Sequence, residues 1–363
     1  MTGAAFAVSR AAAQMNLQME VGRRLQIAWQ ERGLLTALLL PVSGLFALSV
    51  ALRRMSYRLG LLQSAQMPVP VVVVGNITVG GSGKTPLTLW LAQQLQQRGW
   101  HPGIISRGHG GEIHSRKVRE VHAQSAAREI GDEPLLLKRR SRMPLFVGKD
   151  RVAAARALLA AHPECDLILS DDGLQHYRLA REVEIAVLDG RGLMNGCMLP
   201  AGPLRESPRR LRQVEALVLN GPVKLSINGV AIFRMNLTGE TFYALEDPAQ
   251  TCKPSALKDL SLAAVAGIGV PQRFFDHLTA LGLCFSAHAF PDHYRYKADD
   301  LSGIQADALL MTEKDAVKCS GLTHRPVWVM PVTAQVTRAQ AGTDLVTLVE
   351  QCIMENPHGR PPA

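Results

Sequence analysis

Residues 68–86 read PVPVVVVGNITVGGSGKTP, and no other stretch constrains the chain as tightly. A β-branched run closed by Gly75-Asn76 suits a strand buried on both faces. A loop follows, built from Gly80, Gly81, Ser82 and Gly83, and it leads into Lys84-Thr85 and the helical spacing of residues 87–98. Glycines let backbone N–H groups turn toward an anion with no Cβ in the way, and the helix N-terminus adds partial positive charge. Lys84 is placed to reach the outer phosphates of a nucleotide, and the Thr85 hydroxyl to ligate Mg²⁺. Pro86 falls in the first turn, where a missing N–H costs little. The strict pattern G-x-x-x-x-G-K-[ST] wants glycine at 78, where this chain has Thr78, but the GSGKT core and the strand–loop–helix context hold. Such a loop needs an acidic metal anchor at the end of a second strand. DLILSDD supplies it in Asp171 and Asp172. The cofactors expected are therefore ATP and Mg²⁺.

The rest of the chain repeats the same texture. Short apolar runs at 103–106, 145–147, 167–170, 185–188 and 216–219 alternate with helical stretches, notably 151–161. This rhythm predicts an α/β fold with a mainly parallel, P-loop NTPase-like sheet. Around VKLSINGVAIF the pattern suggests a hairpin turning at Asn228-Gly229. A second α/β rhythm starts at LAAVAGIG. The expected division is an N-terminal membrane-associated segment (1–66), a P-loop kinase domain (67–222), a β-rich linker (223–245) and a second, smaller α/β domain (246–355). Residues after Glu355 are expected to fray.

Within the first segment, Leu34 to Leu52 carries no charge and as a helix would measure about 28 Å, near the ~30 Å of a hydrocarbon core. Arg23, Arg24 and Arg32 precede it, and Arg53, Arg54 and Arg58 follow it, which suits a cytoplasmic leaflet rich in anionic lipid. Pro41 removes a backbone donor and should kink the helix, which favours insertion in one leaflet over spanning. A helix pair buried on the body is the competing reading.

The net charge of +9 fits nucleic acid, an anionic membrane or a phosphate-rich substrate. Only 5% of residues are aromatic, and no stretch interleaves them with basic residues, so stacking on single strands is not supported and nucleic acid is not an expected partner. Six scattered cysteines with no CxxC exclude a disulfide frame and a cysteine zinc site.

The segments GNITVGGSGKTP, SRGHGG, GDEPLLL, DDGLQHYRL, NGCMLPAGPLRE, PDHY and TEKDAVK occur in one order between Gly75 and Lys318. Together they resemble the tetraacyldisaccharide 4'-kinase family, over roughly residues 25–345, with 1–22 as a private extension. The resemblance implies an enzyme at the cytoplasmic face of the inner membrane. It would transfer the γ-phosphate of ATP to the 4'-hydroxyl of an acylated glucosamine disaccharide 1-phosphate, in lipid A biosynthesis. It also implies residue roles. Asp132 in GDEP would be the catalytic aspartate and His293 in PDHY its partner. Arg151 would lie near the phosphates, and Glu206 near a second metal contact. His109 stands where the family commonly has tyrosine. Read locally, Asp132 is also a good helix N-cap, Arg151 a surface arginine and Glu206 part of a helix start. Gln175 and His176 should shape the same site. Glu313, Lys314 and Asp315 carry no assigned role. The rival reading is a membrane-recruited ATPase of the partitioning type; a nucleotide-sensing scaffold is a third.

Overall fold

The structure, a computed structural model, describes residues 27–111, 117–223, 225–339 and 342–356. The proposed private extension, Arg23, Arg24 and the tail beyond 356 lie outside the described residues.

The large sheet is assembled around the VVVVG run. β1 (Val71–Gly75) lies at its centre, between β5 (Leu167–Asp171) and β6 (Val183–Asp189). Outward from β5 come β2 (Pro102–Ser106), β4 (Leu145–Val147) and the short β3 (Arg119–Glu120). Outward from β6 come β7 (Ala216–Asn220), β8 (Ala231–Thr238) and β15 (Thr333–Arg338). All pairings are parallel except those of the two edge strands, β3 and β15. Alternate residues feed two separate cores: Val72 and Val74 face one, Val71 and Val73 the other. That is why the strand is apolar throughout instead of alternating. The helices α2 (Lys84–Gln97) and α4 (Asp132–Ser141) contribute to the first core, and α5 (Arg151–Ala161) to the second. The four-residue α3 (Ala127–Ile130) precedes α4.

A second sheet has the order β10-β9-β14-β13-β11-β12, from Thr251–Cys252, Phe242–Ala244, Val327–Met330, Ala308–Thr312, Leu262–Ala266 and Ser286–Ala289. Helix α6 (Pro271–Ala280) buries Phe274, Phe275 and Leu278 against it. The short helices α7 (Ala298–Ser302) and α8 (Glu313–Ala316) follow.

Two expectations are corrected. Asn228-Gly229 does form a turn, but residues 225–227 are not a strand, and β8 pairs parallel to β7 and antiparallel to β15. Within the expected linker, Ala231–Thr238 is thus a strand of the large sheet and Phe242–Ala244 one of the second sheet. The expected 246–355 unit also loses its end. β15 and α9 (Leu345–Glu355) return to the first core, where Leu345, Val346, Val349 and Ile353 are buried. Arg98 and Trp100 fasten α9 there, Arg98 donating to Asp344 (3.0 Å) and Glu350 (2.7 Å), and Trp100 to Glu350 (3.1 Å).

Helix α1 (Leu34–Arg58) is one continuous 25-residue helix that runs through Pro41. Its buried residues are polar, Thr36 and Ser43, while Leu34, Leu38, Leu45 and Leu48 face outward. It docks by a hydrogen bond from Ser43 Oγ to the Met198 carbonyl at 2.7 Å, and the residues before it dock by Trp29 Nε1 to the Pro200 carbonyl at 2.9 Å and Arg32 Nε to the Asn195 carbonyl at 3.1 Å. By length and composition it can cross a membrane. The buried helix pair is not what forms.

Candidate active site

Parallel topology gathers the C-terminal ends of β1, β5, β6 and β7 on one edge, and the candidate residues stand there. The phosphate loop is held from both sides. Val79 N donates to the Pro203 carbonyl (2.9 Å), and Asn220 Nδ2, from the end of β7, donates to the Ser82 carbonyl (3.0 Å). Gly83 caps α2 with φ +94°, and a Cβ there would stand 2.5 Å from the Asn220 amide nitrogen, so only glycine suits both conformation and contact. The Ser82 hydroxyl is buried with no protein partner, Lys84 is buried, and Thr85 lies on the cavity wall. A loop with unspent donors and a buried ammonium fits a nucleotide phosphate chain.

Lys84 Nζ lies 3.7 Å from Asp172 Oδ1, and Arg205 Nη1 reaches the same carboxylate at 3.3 Å. Asp171 and Asp172 diverge. Burial, helped by Glu133, pushes Asp171 up to about 7; it accepts from Thr88 Oγ1 at 3.2 Å. Burial also opposes ionisation of Asp172, but Lys84, Arg205 and Arg151 outweigh it and hold that carboxyl below its ordinary value. Asp172 also adopts φ +51°, the kind of local strain a rigid surround maintains at functional sites. With Thr85, this acidic pair has the hard oxygen donors that suit Mg²⁺.

Arg151 is buried and not the surface arginine of the local reading. Its guanidinium is buried and donates to the carbonyls of Gly148 (2.9 Å), Asp171 (3.2 Å) and Asp172 (3.4 Å), which braces the acidic turn from behind. Burial lowers its pKa to about 10. Glu206 likewise spends both oxygens on protein donors, Gln175 Nε2 (2.7 Å) and Tyr177 Oη (2.5 Å), with Arg210 at 3.4 Å, so its visible work is to hold Gln175. Gln175 in turn donates to the Asn76 carbonyl at 3.0 Å. Burial, followed by Arg151 and Arg181, lowers His176 to about 4.

Across the cleft, His293 Nδ1 lies 3.0 Å from each Asp132 oxygen, and the His109 ring meets His293 edge-on at 5.1 Å between centroids. Asp132 is the first residue of α4; the N-cap is Gly131, at φ +95°, where a Cβ would come 2.4 Å from the His109 carbonyl. Asp132 is thus not the N-cap that its sequence context suggests, although its Oδ1 accepts from Glu133 N at 2.9 Å. Burial favours its neutral form, but the His293 hydrogen bond, Lys314 and Lys318 prevail and lower its pKa. Burial likewise opposes charge on His293, yet the Asp132 hydrogen bond raises it above its ordinary value. Several contributors escaped the sequence reading: Lys314, Asp292, Arg205 and Asn220. Lys314, Asp292 and Arg205 each had a signal, lying inside the TEKDAVK, PDHY and NGCMLPAGPLRE segments; Asn220 had none.

A cavity of about 710 Å³ lies between the sheets, bounded by the phosphate loop and Glu133 on one side and by Gly269, Arg273 and Lys314 on the other.

A family model described as "Tetraacyldisaccharide-1-P 4'-kinase" matches residues 35–350. The chain belongs to that family. Relatives named "Tetraacyldisaccharide 4'-kinase" support it. That of Azoarcus sp. (strain BH72) is 51% identical and covers 92% of this chain and 96% of its own length. That of Janthinobacterium sp. (strain Marseille) is 52% identical, over 86% and 92%. The crystal structure of the "apo" form of the Aquifex aeolicus enzyme LpxK in complex with ATP superposes with TM-score 0.74. It is 29% identical and covers 88% of this chain and 99% of that one. The family is a kinase family, so the partitioning-type ATPase reading is not favoured.

Proposed function

We propose that this chain transfers the γ-phosphate of MgATP to the 4'-hydroxyl of a tetraacylated glucosamine disaccharide 1-phosphate, at the cytoplasmic face of the inner membrane. The observation that carries the reading is the Asp132–His293 pair, held at 3.0 Å, whose neighbours Glu133 and Lys314 line the cavity that the phosphate loop also walls. An acceptor hydroxyl gives up a proton as it bonds to phosphorus, and the pair supplies a base to receive it; the family membership is what favours a sugar hydroxyl over water. Gly80, Gly81, Ser82, Gly83 and Thr85 hold the phosphates, and Lys84 neutralises charge on the one in transit. Thr85, Asp171 and Asp172 would hold Mg²⁺, which when bound supplies charge neutralisation on the β- and γ-phosphate oxygens. Asp132 accepts the 4'-hydroxyl proton as its oxygen bonds to the γ-phosphorus, and the bond to the bridging oxygen breaks to leave ADP. His293 orients Asp132. Arg151 acts through the acidic turn that it braces, and Glu206 through Gln175.

An acylated sugar phosphate resides in a bilayer, so the apolar outward face of α1 belongs to the same reading. The basic residues Arg53 and Arg58 beside it face outward and suit anionic headgroups. The test is incubation of the protein in mixed micelles with ATP and a tetraacyldisaccharide 1-phosphate. Mass analysis is expected to show a product heavier by one phosphate, formed in step with ADP. ADP release at the same rate without the lipid would overturn the reading in favour of an ATPase.

A further inference from the structure

Lys314 enters the cleft from the first turn of α8, directly after β13. The turn is fixed by Thr312, whose Oγ1 accepts from Asp315 N at 3.2 Å. Its side chain is 17% exposed, and its Nζ lies 3.0 Å from Glu133 Oε1, 3.0 Å from Asp292 Oδ1 and 3.4 Å from His293 Nε2. The two carboxylates are the chain neighbours of the catalytic pair, Glu133 following Asp132 on α4 and Asp292 preceding His293. One ammonium therefore ties together the segments that carry both members. The tie matters because His293 sits at φ +58°, a conformation that its own loop does not favour.

The contact also dictates protonation. An ammonium is donor-only, so an imidazole nitrogen can meet it only with a lone pair. In the neutral ring Nε2 is then unprotonated, the ring proton lies on Nδ1, and Nδ1 donates to Asp132. We propose that Lys314 is the positioning residue of the catalytic pair: it selects the Nδ1–H tautomer of His293 and holds that ring against Asp132 across the cleft. This rests on the kinase reading given above.

The groups facing His293 are Asp132 from α4, Asp292 on its own loop, Lys314 from α8, Lys318 beyond it (3.9 Å from Asp132 Oδ2) and His109 from the loop after β2. Among them, the Lys314 charge acts to lower the pKa of both His293 and Asp132. Removing it raises both, so the acidic limb of the pH–rate profile moves to higher pH.

The experiment compares wild type with Lys314→Met and Lys314→Arg. Wild-type turnover tests the kinase reading by itself, and the variants test the lysine. Lys314→Met is expected to lower kcat on the order of 10- to 100-fold and to move the acidic limb up by roughly one pH unit. ATP binding by calorimetry stays unchanged. Lys314→Arg keeps the limb in place and recovers part of kcat. Lys314→Gln replaces the Met variant should that one not fold. An unmoved limb in a folded neutral variant overturns the proposal. So does an ATP affinity lowered tenfold, which would make Lys314 a phosphate ligand.

Discussion

At the scale of single residues, each important side chain is placed by a partner distant in sequence. Lys84 is expected to be indispensable: Lys84→Ala should lower turnover by about 10²-fold or more, with the unfolding temperature nearly kept, because Asp172 retains Arg205. Normal turnover in that folded variant would remove the phosphate loop from the mechanism. Asp132→Ala and His293→Ala should each cost ~10²–10⁴ in kcat, and the double variant little more, since the two act as a unit. Losses that multiply fully would show independent residues. The same pair makes stability depend on pH in a defined sense. Asp132 is lowered from 3.8, so its stabilisation is present above that pH and fades as pH falls through the folded value. His293 is raised from 6.5, so its stabilisation is full below 6.5 and fades as pH rises through the folded value. The stability gap between wild type and His293→Gln should therefore be widest between about pH 4 and 6.5, and narrower at pH 9. A gap that widens toward pH 9 would contradict the assigned ion pair.

At the scale of elements, local physics was legible and partnership was not. The phosphate loop could be read because strand, glycines, lysine and helix are contiguous, and each answers to backbone geometry within a few residues. GDEP and PDHY could not be read alone. Both are ordinary turn and capping sequences, and only the resemblance joined Asp132 to His293 across 161 positions. β8 shows the same limit. Its alternation marks a strand, but alternation does not name the neighbouring strand, so a turn at Asn228-Gly229 passed for a hairpin. Helix α1 was legible in composition, whereas its orientation came from two polar residues buried within an apolar run. That orientation has a direct consequence. Leu38→Glu with Leu45→Glu places two carboxylates on the outward face, at a cost of about 2.5–3.5 kcal/mol each deep in a bilayer. Flotation with anionic vesicles should fall sharply while the fold persists. Ser43→Ala removes the bond to Met198 and should leave flotation intact, with a stability loss of about 1 kcal/mol. Undiminished flotation of the double variant would move membrane contact away from α1.

At the scale of the whole molecule, the two sheets meet through charge. Arg140 Nη1 lies 2.6 and 2.7 Å from the Glu313 oxygens, Lys314 bridges to Glu133, and Arg273 of α6 reaches Asp189 at the end of β6 at 3.0 Å. The first lies between α4 and α8. The third stands beside the phosphate loop, where Arg191 shares Asp189 and also donates to the Gly81 carbonyl at 3.2 Å. A nucleotide in the shared cavity would therefore touch a loop already coupled to the second sheet through Arg191, Asp189 and Arg273. Ligands slow amide exchange where they suppress local opening, so the pattern of protection reports which walls engage. On adding MgATP, exchange is expected to slow over residues 80–88 and also over residues 269–275, which belong to the other sheet. Lys84→Ala should lose both responses together. Arg273→Ala should keep the first and weaken the second, because the phosphate loop is intact while the link through Asp189 is gone. Protection confined to residues 80–88 in wild type would show that the nucleotide is bound by the large sheet alone. The catalytic pair would then be brought to it by the lipid acceptor and not by ATP.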